Sequence, residues 1–160
     1  MKISGSFNTF FTTKENVMTS NTAQTIRRGI LALGLIAIAI IHVLDLPSKW
    51  AEVRYLGFGY IGVIIASLIL AERVIRKPSS LDYFATAALS ASVLAGFTIT
   101  RTVGLPGAMD DIGNWLEPLG LVSILVEAIV IWHATQALRE KSSVRVVQKI
   151  SSKNDELIAA

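Results

Sequence analysis

Glu127 is the one Asp, Glu, Lys or Arg in the run from Pro118 to Leu138. A carboxyl in the middle of so apolar a stretch is tolerated only if it is neutral, paired or facing a wet cavity. The chemistry it offers is therefore a proton or cation site. A protonated acid hydrogen-bonding a neighbouring helix and locking the bundle is the structural alternative, with Ser67, Ser90 and Ser92 as candidate partners at similar depth. A second group is His42 with Asp45, three residues apart and so on one helix face. Asp110 and Asp111 are expected on the same side of the molecule. One imidazole and several carboxylates suit a divalent cation, although no tight ligand motif is present. Ordinary solvated acids and a hydrogen-bonded histidine are the plainer reading. A third group is Arg101 with Glu117, expected to meet as an ion pair that fixes a loop; in a functional version Arg101 grips an anionic ligand or headgroup.

The elements that position these residues are read from where charge is missing. The chain has 160 residues, 52% of them hydrophobic and only 17% charged, and no cysteine. That composition excludes disorder over most of the chain. The missing cysteines exclude a disulfide scaffold, thiolate metal sites and a thiol nucleophile. Gly29–Leu44, Tyr55–Ala71 and Tyr83–Thr100 carry no Asp, Glu, Lys or Arg, with His42 in the first, and Pro118–Leu138 carries Glu127 as its one charge. At 1.5 Å per residue, about 18 helical residues reach ~27 Å, close to the hydrocarbon thickness of a bilayer. None of the first three runs shows the polar face that a buried helix of a soluble protein needs. The expected fold is all-α: an integral membrane bundle of four helices, at about 27–46, 54–75, 81–102 and 115–138. Residues 1–25 form a polar N-terminal tail, 26–138 the transmembrane domain and 139–160 a basic, polar tail.

Basic residues set the expected orientation. Lys2, Lys14, Arg27, Arg28, Arg73, Arg76, Lys77, Arg139, Lys141, Arg145, Lys149 and Lys153 fall on one side, against Lys49, Arg54 and Arg101 on the other. Both termini are thus expected in the cytoplasm, in a multi-pass protein of the cytoplasmic membrane. The net charge of +3 is a topology signal rather than a nucleic-acid footprint, since no basic and aromatic surface accompanies it. The N-terminal stretch lacks the pattern of a secretory signal, and Met18 is a second candidate start.

Local signals mark the boundaries. Pro47 and Ser48 are expected to stop the first helix. Ser79 and Asp82 have capping-box spacing, and Pro118 suits a first helical turn. Val144, Val147 and Ile150 give the C-terminal tail a weak apolar stripe, compatible with a surface helix or with disorder. Gly57, Gly59 and Gly62 spell a dinucleotide-binding pattern, but inside an apolar helix, where that motif has no meaning. Small residues at Gly62 and Ala66, and at Ala88, Ser92 and Gly96, predict close packing of the second helix on the third. Trp50, Tyr55, Tyr83, Trp115 and Trp132 read as interfacial anchors. His42 and His133 fall at opposite depths, which disfavours an intrachain bis-histidine haem.

Arg101-Thr102-Val103-Gly104-Leu105-Pro106-Gly107, then Trp115-Leu116-Glu117-Pro118-Leu119-Gly120 and Glu127, together with His42 and Tyr55-Leu56-Gly57, resemble small four-helix membrane proteins of actinobacteria and similar bacteria. The similarity covers about residues 29–138. It implies a fold and no mechanism.

No nucleophile–base pair or phosphate loop stands out, so an enzyme is disfavoured. Four short helices are expected to enclose little space. The expected function is a non-catalytic accessory or interaction subunit, with the bilayer and other membrane subunits or further copies of the chain as partners. The alternatives are a small oligomeric proton- or cation-coupled transporter using Glu127, and an outward-facing metal or ligand sensor at His42 and Asp45.

Overall fold

The computed structural model describes the backbone of residues 4–159 and the side chains of residues 22–157, apart from those of 144, 145, 147, 153 and 156. Four helices follow in order: α1 (Ser4–Glu52), α2 (Arg54–Arg76), α3 (Ser80–Thr102) and α4 (Pro118–Ala159). Each contains a stretch long and apolar enough to cross a membrane: Thr22–Glu52, Arg54–Arg76, Ser80–Thr102 and Pro118–Ser152. The chain is an all-helical membrane bundle of four spans. Its outward faces carry Leu33, Ile40, Leu44, Phe58, Ile65, Leu68, Phe84 and Leu125, all exposed. A soluble protein would not present so continuous an apolar surface, whereas hydrocarbon chains cover it at no cost.

The connections explain the helix ends. Val53 alone, in extended backbone, joins α1 to α2. The capping box opens α3 as its spacing requires: Asp82 N–H donates to the Ser79 hydroxyl, and the Asp82 carboxylate accepts from Ser79 N–H at 2.7 Å. Asp82 also pairs with Arg73, which ties the last turn of α2 to the first of α3. At the end of α3, Val103 and Gly104 N–H both donate to Ile99 O at 3.0 Å. Gly104 takes φ +73°, a left-handed conformation that closes the helix and that a side chain would strain.

Two helices run further than their sequence suggests. Pro47 lies inside α1, which continues to Glu52. A proline there forfeits one backbone bond. The turn beyond it is held by tertiary contacts, with Lys49 bonded to Glu52 and Asp111 and Trp50 packed edge-to-face on Phe58. At its other end α1 begins at Ser4 rather than near residue 27. Similarly, α4 continues as helix to Ala159 rather than ending near 138. The apolar stripe expected at Val144 and Val147 falls outside the described side chains, as do the charges of Lys2, Lys14, Arg145 and Lys153.

Packing is uneven. α1 lies along α2 and α4, and α3 along α4, while α2 and α3 are the least closely packed of the adjoining pairs. The close α2–α3 seam expected from small residues does not form. A Cβ added at Gly59, Gly62 or Gly96 would meet nothing within 4 Å. The close approaches made by glycine lie elsewhere: Gly57 against Trp50, Gly34 against Val130 and Gly120 against Phe97.

The apolar core is Leu31, Leu35 and Ile38 of α1, Leu70, Ala71 and Val74 of α2, Tyr83 of α3, and Val130, Ala134 and Ala137 of α4. All of these lie in the half of the bundle that holds the α2–α3 turn. Tyr83 is one of them, buried rather than anchoring an interface. We call this half the basic end, since Arg27, Arg28, Arg73, Arg76, Lys77 and Lys141 gather there, and the opposite half the loop end.

Candidate functional site

The loop half of the bundle is hollow. A cavity of about 330 Å³ lies between all four helices and the α3–α4 loop, within the size range of small-molecule sites. Its walls are Ile41, Leu56, Val63, Val93, Phe97 and Leu119, with Gly59, Ser92 and Gly96 where α2 and α3 separate. The small residues that failed to zip these two helices together instead leave the gap open. The expectation that four short helices enclose little space is thereby corrected.

At the loop end the cavity meets a network of charges. Lys49 Nζ donates to Asp111 Oδ2 at 2.6 Å and to Glu52 Oε2 at 2.9 Å. Arg101 Nη1 lies 2.9 Å from the same Asp111 oxygen, and Nη2 pairs with Glu117. Its remaining donors go to Asn114 O at 2.8 Å and Thr100 Oγ1 at 3.1 Å, and its guanidinium stacks 4.6 Å over the Phe97 ring. Arg101 is only 5% exposed and Lys49 8%, so each cation is compensated where water cannot do it. The expected Arg101–Glu117 pair is present. It also consumes the arginine, because every nitrogen of that guanidinium already has a protein acceptor. An anionic ligand would have to displace Asp111 or Glu117, so the Arg101 grip is not what this arrangement offers.

Along one wall, Tyr60 donates its hydroxyl to Asp45 Oδ2 at 2.8 Å, and its ring lies 4.9 Å from that of His42. His42 Nδ1 donates to Ile38 O at 2.9 Å. His42 and Asp45 both line the cavity, as the helical spacing implied, but each is bonded to a different partner. Asp111 is held by two cations, and Asp110 is exposed and outside the cavity. Among the described residues no three His, Asp or Glu side chains come together in a manner that would hold a metal ion. His133 lies in the basic half, beside the core residue Ala134, well away from His42 in the register of the bundle.

The floor of the cavity is polar. Ser123 lines it, and its hydroxyl donates to Glu127 Oε1 at 2.9 Å, one turn deeper on α4. Glu127 is fully buried, and its Oε2 has no hydrogen-bond partner. The bond to Ser123 stays within α4, so it does not lock α4 to another helix. Ser67 and Ser90, the expected partners, are also fully buried, with unpartnered hydroxyl oxygens. Ser92 donates to Leu89 O of its own helix.

The register of these groups is regular. On α1, His42 falls between the core residue Ile38 and the cavity residue Asp45. On α2, Ser67 falls between Val63 and Leu70. On α3, Ser90 falls between Tyr83 and Val93. On α4, Glu127 falls between Ser123 and Val130. Each helix thus contributes one buried polar residue at the boundary where the packed half becomes the hollow half. Comparisons with known protein families, curated proteins and solved structures find no match to this chain. The chemistry of this site must therefore be read from its own residues.

Four residues of the site were not singled out from the sequence. Ser123 had a signal, since it stands four residues before Glu127 and so on the same face. Tyr60, Thr100 and Lys49 had none, because their roles depend on which helices become neighbours.

Proposed function

We propose that the chain is a small multi-pass protein of the cytoplasmic membrane that binds a lipophilic cation in the loop-half cavity, with Glu127 as the counter-charge. The observation that carries this reading is the charge state of the lining. Its two cations, Lys49 and Arg101, are already matched by Glu52, Asp111 and Glu117. Asp45 is held only by a phenol, and Glu127 retains an unpartnered oxygen below the floor. The remaining capacity is for positive charge. Tyr55, Tyr60 and Phe97 add aromatic rings to the lining, and aromatic faces attract cations.

The ligand is amphiphilic because the walls are apolar, and because the α2–α3 gap at Gly59, Ser92 and Gly96 opens toward the bilayer. Glu127 would serve such a ligand as its counter-charge, since a carboxylate beside a bound cation leaves the pair neutral within the bilayer. The positive-inside bias favours the basic end in the cytoplasm, and with that orientation the cavity would face the outer leaflet. An accessory-subunit role, which rests on short loops, small-residue helix faces and the lack of a catalytic constellation, stands beside this reading; the cavity supports binding.

The test uses two ions of the same shape and opposite charge. Purified protein in detergent is titrated with tetraphenylphosphonium and with tetraphenylborate. The phosphonium should bind at least tenfold more tightly, a difference of about 1.4 kcal/mol, and Glu127→Gln should weaken it. Equal binding of both ions, or tighter binding of the borate, overturns the reading.

A further inference from the structure

A second pocket, of about 300 Å³, lies at the basic end between α1, α3 and α4. We propose that it is an anion site for a phosphate group, supplied by the headgroup of an anionic phospholipid or by free phosphate. It is separate from the loop-half cavity, from which the whole apolar core divides it, and does not rest on the function proposed for that cavity.

The lining contains three cations, Arg27, Arg28 and Lys141, and one carboxylate, Glu140. Glu140 is paired with Arg27. Lys141 donates to the carbonyl of Pro78 and lies 5.2 Å over the Tyr83 ring, contacts that fix the ammonium at the mouth of the pocket. Arg28 is the decisive residue. Its Nε is buried and has no hydrogen-bond partner. A buried donor left unmatched carries the full penalty of its desolvation, and a guanidinium is matched in shape and charge by phosphate oxygens. Gln24 and Tyr83 complete the lining with neutral polar groups.

The location favours a lipid as the source. Arg27 and Arg28 stand five and six residues into the first membrane span, which begins at Thr22, at headgroup depth. Basic pockets between helices on the cytoplasmic side commonly hold anionic headgroups. A phosphodiester would accept from Arg28 and Lys141 while its acyl chains lie along the exposed apolar face of the bundle.

The experiment is native mass analysis of the full-length protein in mild detergent, with phosphatidylglycerol and phosphatidylcholine added in equal amount. The expected result is a phosphatidylglycerol adduct at least tenfold more abundant than the phosphatidylcholine adduct. Arg28→Gln should remove that preference. Arg76→Gln, which alters an exposed arginine of the same end already paired with Glu72, should leave it intact. If inorganic phosphate alone raises the melting temperature, in an Arg28-dependent way, and strips the lipid adduct, the site stands and its ligand is free phosphate. Should Arg28→Gln fail to elute as the wild-type species, a photoactivatable phosphatidylglycerol decides the matter on the wild-type protein. It should crosslink within residues 24–28 or 137–141. No lipid preference together with no phosphate effect, equal loss in both variants, or crosslinks elsewhere only, overturns the proposal.

Discussion

Lys49 near the end of α1 and Asp111 in the α3–α4 loop, 62 residues apart in sequence, are joined by a hydrogen-bonded ion pair of 2.6 Å. Their side chains are 10% and 16% exposed, so water contributes little to either. Arg101 uses the same Asp111 oxygen. One carboxylate therefore holds the loop to two helices, and its removal leaves two buried cations short of a partner. Asp111→Asn should lower stability by ~3 kcal/mol, measured as the loss of melting temperature in detergent. In the double variant Lys49→Met/Asp111→Asn the losses should not add, with a coupling of ~1–3 kcal/mol. Strict additivity would show that the pair does not hold the loop.

Glycine acts here where α1 meets α2 and α4, and where α3 meets α4, rather than between α2 and α3. A Cβ at Gly57 would overlap the Trp50 ring, whereas one at Gly62 would meet nothing within 4 Å. Gly57→Ala should therefore destabilise the bundle by about 1–3 kcal/mol, as overpacking does. Gly62→Ala should be neutral or slightly stabilising, because alanine favours the helix. Thermal unfolding of both variants checks this. A Gly62→Ala loss as large as that of Gly57→Ala would mean that α2 and α3 pack through Gly62 after all.

Much of this architecture is legible in the chain itself. Runs without charge locate all four spans, and Ser79 with Asp82 locates the start of α3, because both signals act within a few residues. The Arg101–Glu117 pair is also readable, since Arg101 stands where α3 ends and Glu117 where α4 begins. Pro47 misleads because its cost is local, while the contacts of Lys49 and Trp50 that outweigh it come from α2 and the distant loop. Gly62, Ala66, Ala88, Ser92 and Gly96 mislead differently. Small residues permit close approach without enforcing it, and here they border an opening. The Lys49–Asp111 pair and the cavity itself are unreadable without knowing which helices are neighbours.

That opening can be plugged without disturbing the core. Gly96 lines the cavity and has free space where a side chain would begin. Gly96→Leu should reduce tetraphenylphosphonium affinity at least tenfold, about 1.4 kcal/mol, and leave the melting temperature within a degree or two. Isothermal titration and thermal unfolding on the same preparation provide both readings. Unchanged affinity would place the bound ion somewhere other than this cavity.

Glu127 separates a structural role from a functional one. It is fully buried with one oxygen unpartnered, so its place in the bundle costs stability. Glu127→Leu removes that cost with a side chain of similar size and should raise stability by up to ~2 kcal/mol. The same change should abolish cation binding. Stability gained at the expense of binding is the trade-off expected of a functional site. A Glu127→Leu variant that melts lower than the wild type would instead make the carboxyl a structural element.

The proposed orientation of the bundle is directly accessible to labelling, because the chain contains no cysteine. A single introduced thiol is then the sole target of a maleimide. Asp110 is exposed in the α3–α4 loop, and Lys77 is exposed in the α2–α3 turn at the opposite end. With Arg27, Arg28, Arg73, Arg76, Lys77 and Lys141 gathered at the basic end, that end should remain in the cytoplasm. In intact cells a membrane-impermeant maleimide should label Asp110→Cys and spare Lys77→Cys, which should react only after lysis. The reverse pattern would turn the bundle over. The lipophilic cation would then be taken from the inner leaflet, and the pocket around Arg28 would face the outer one.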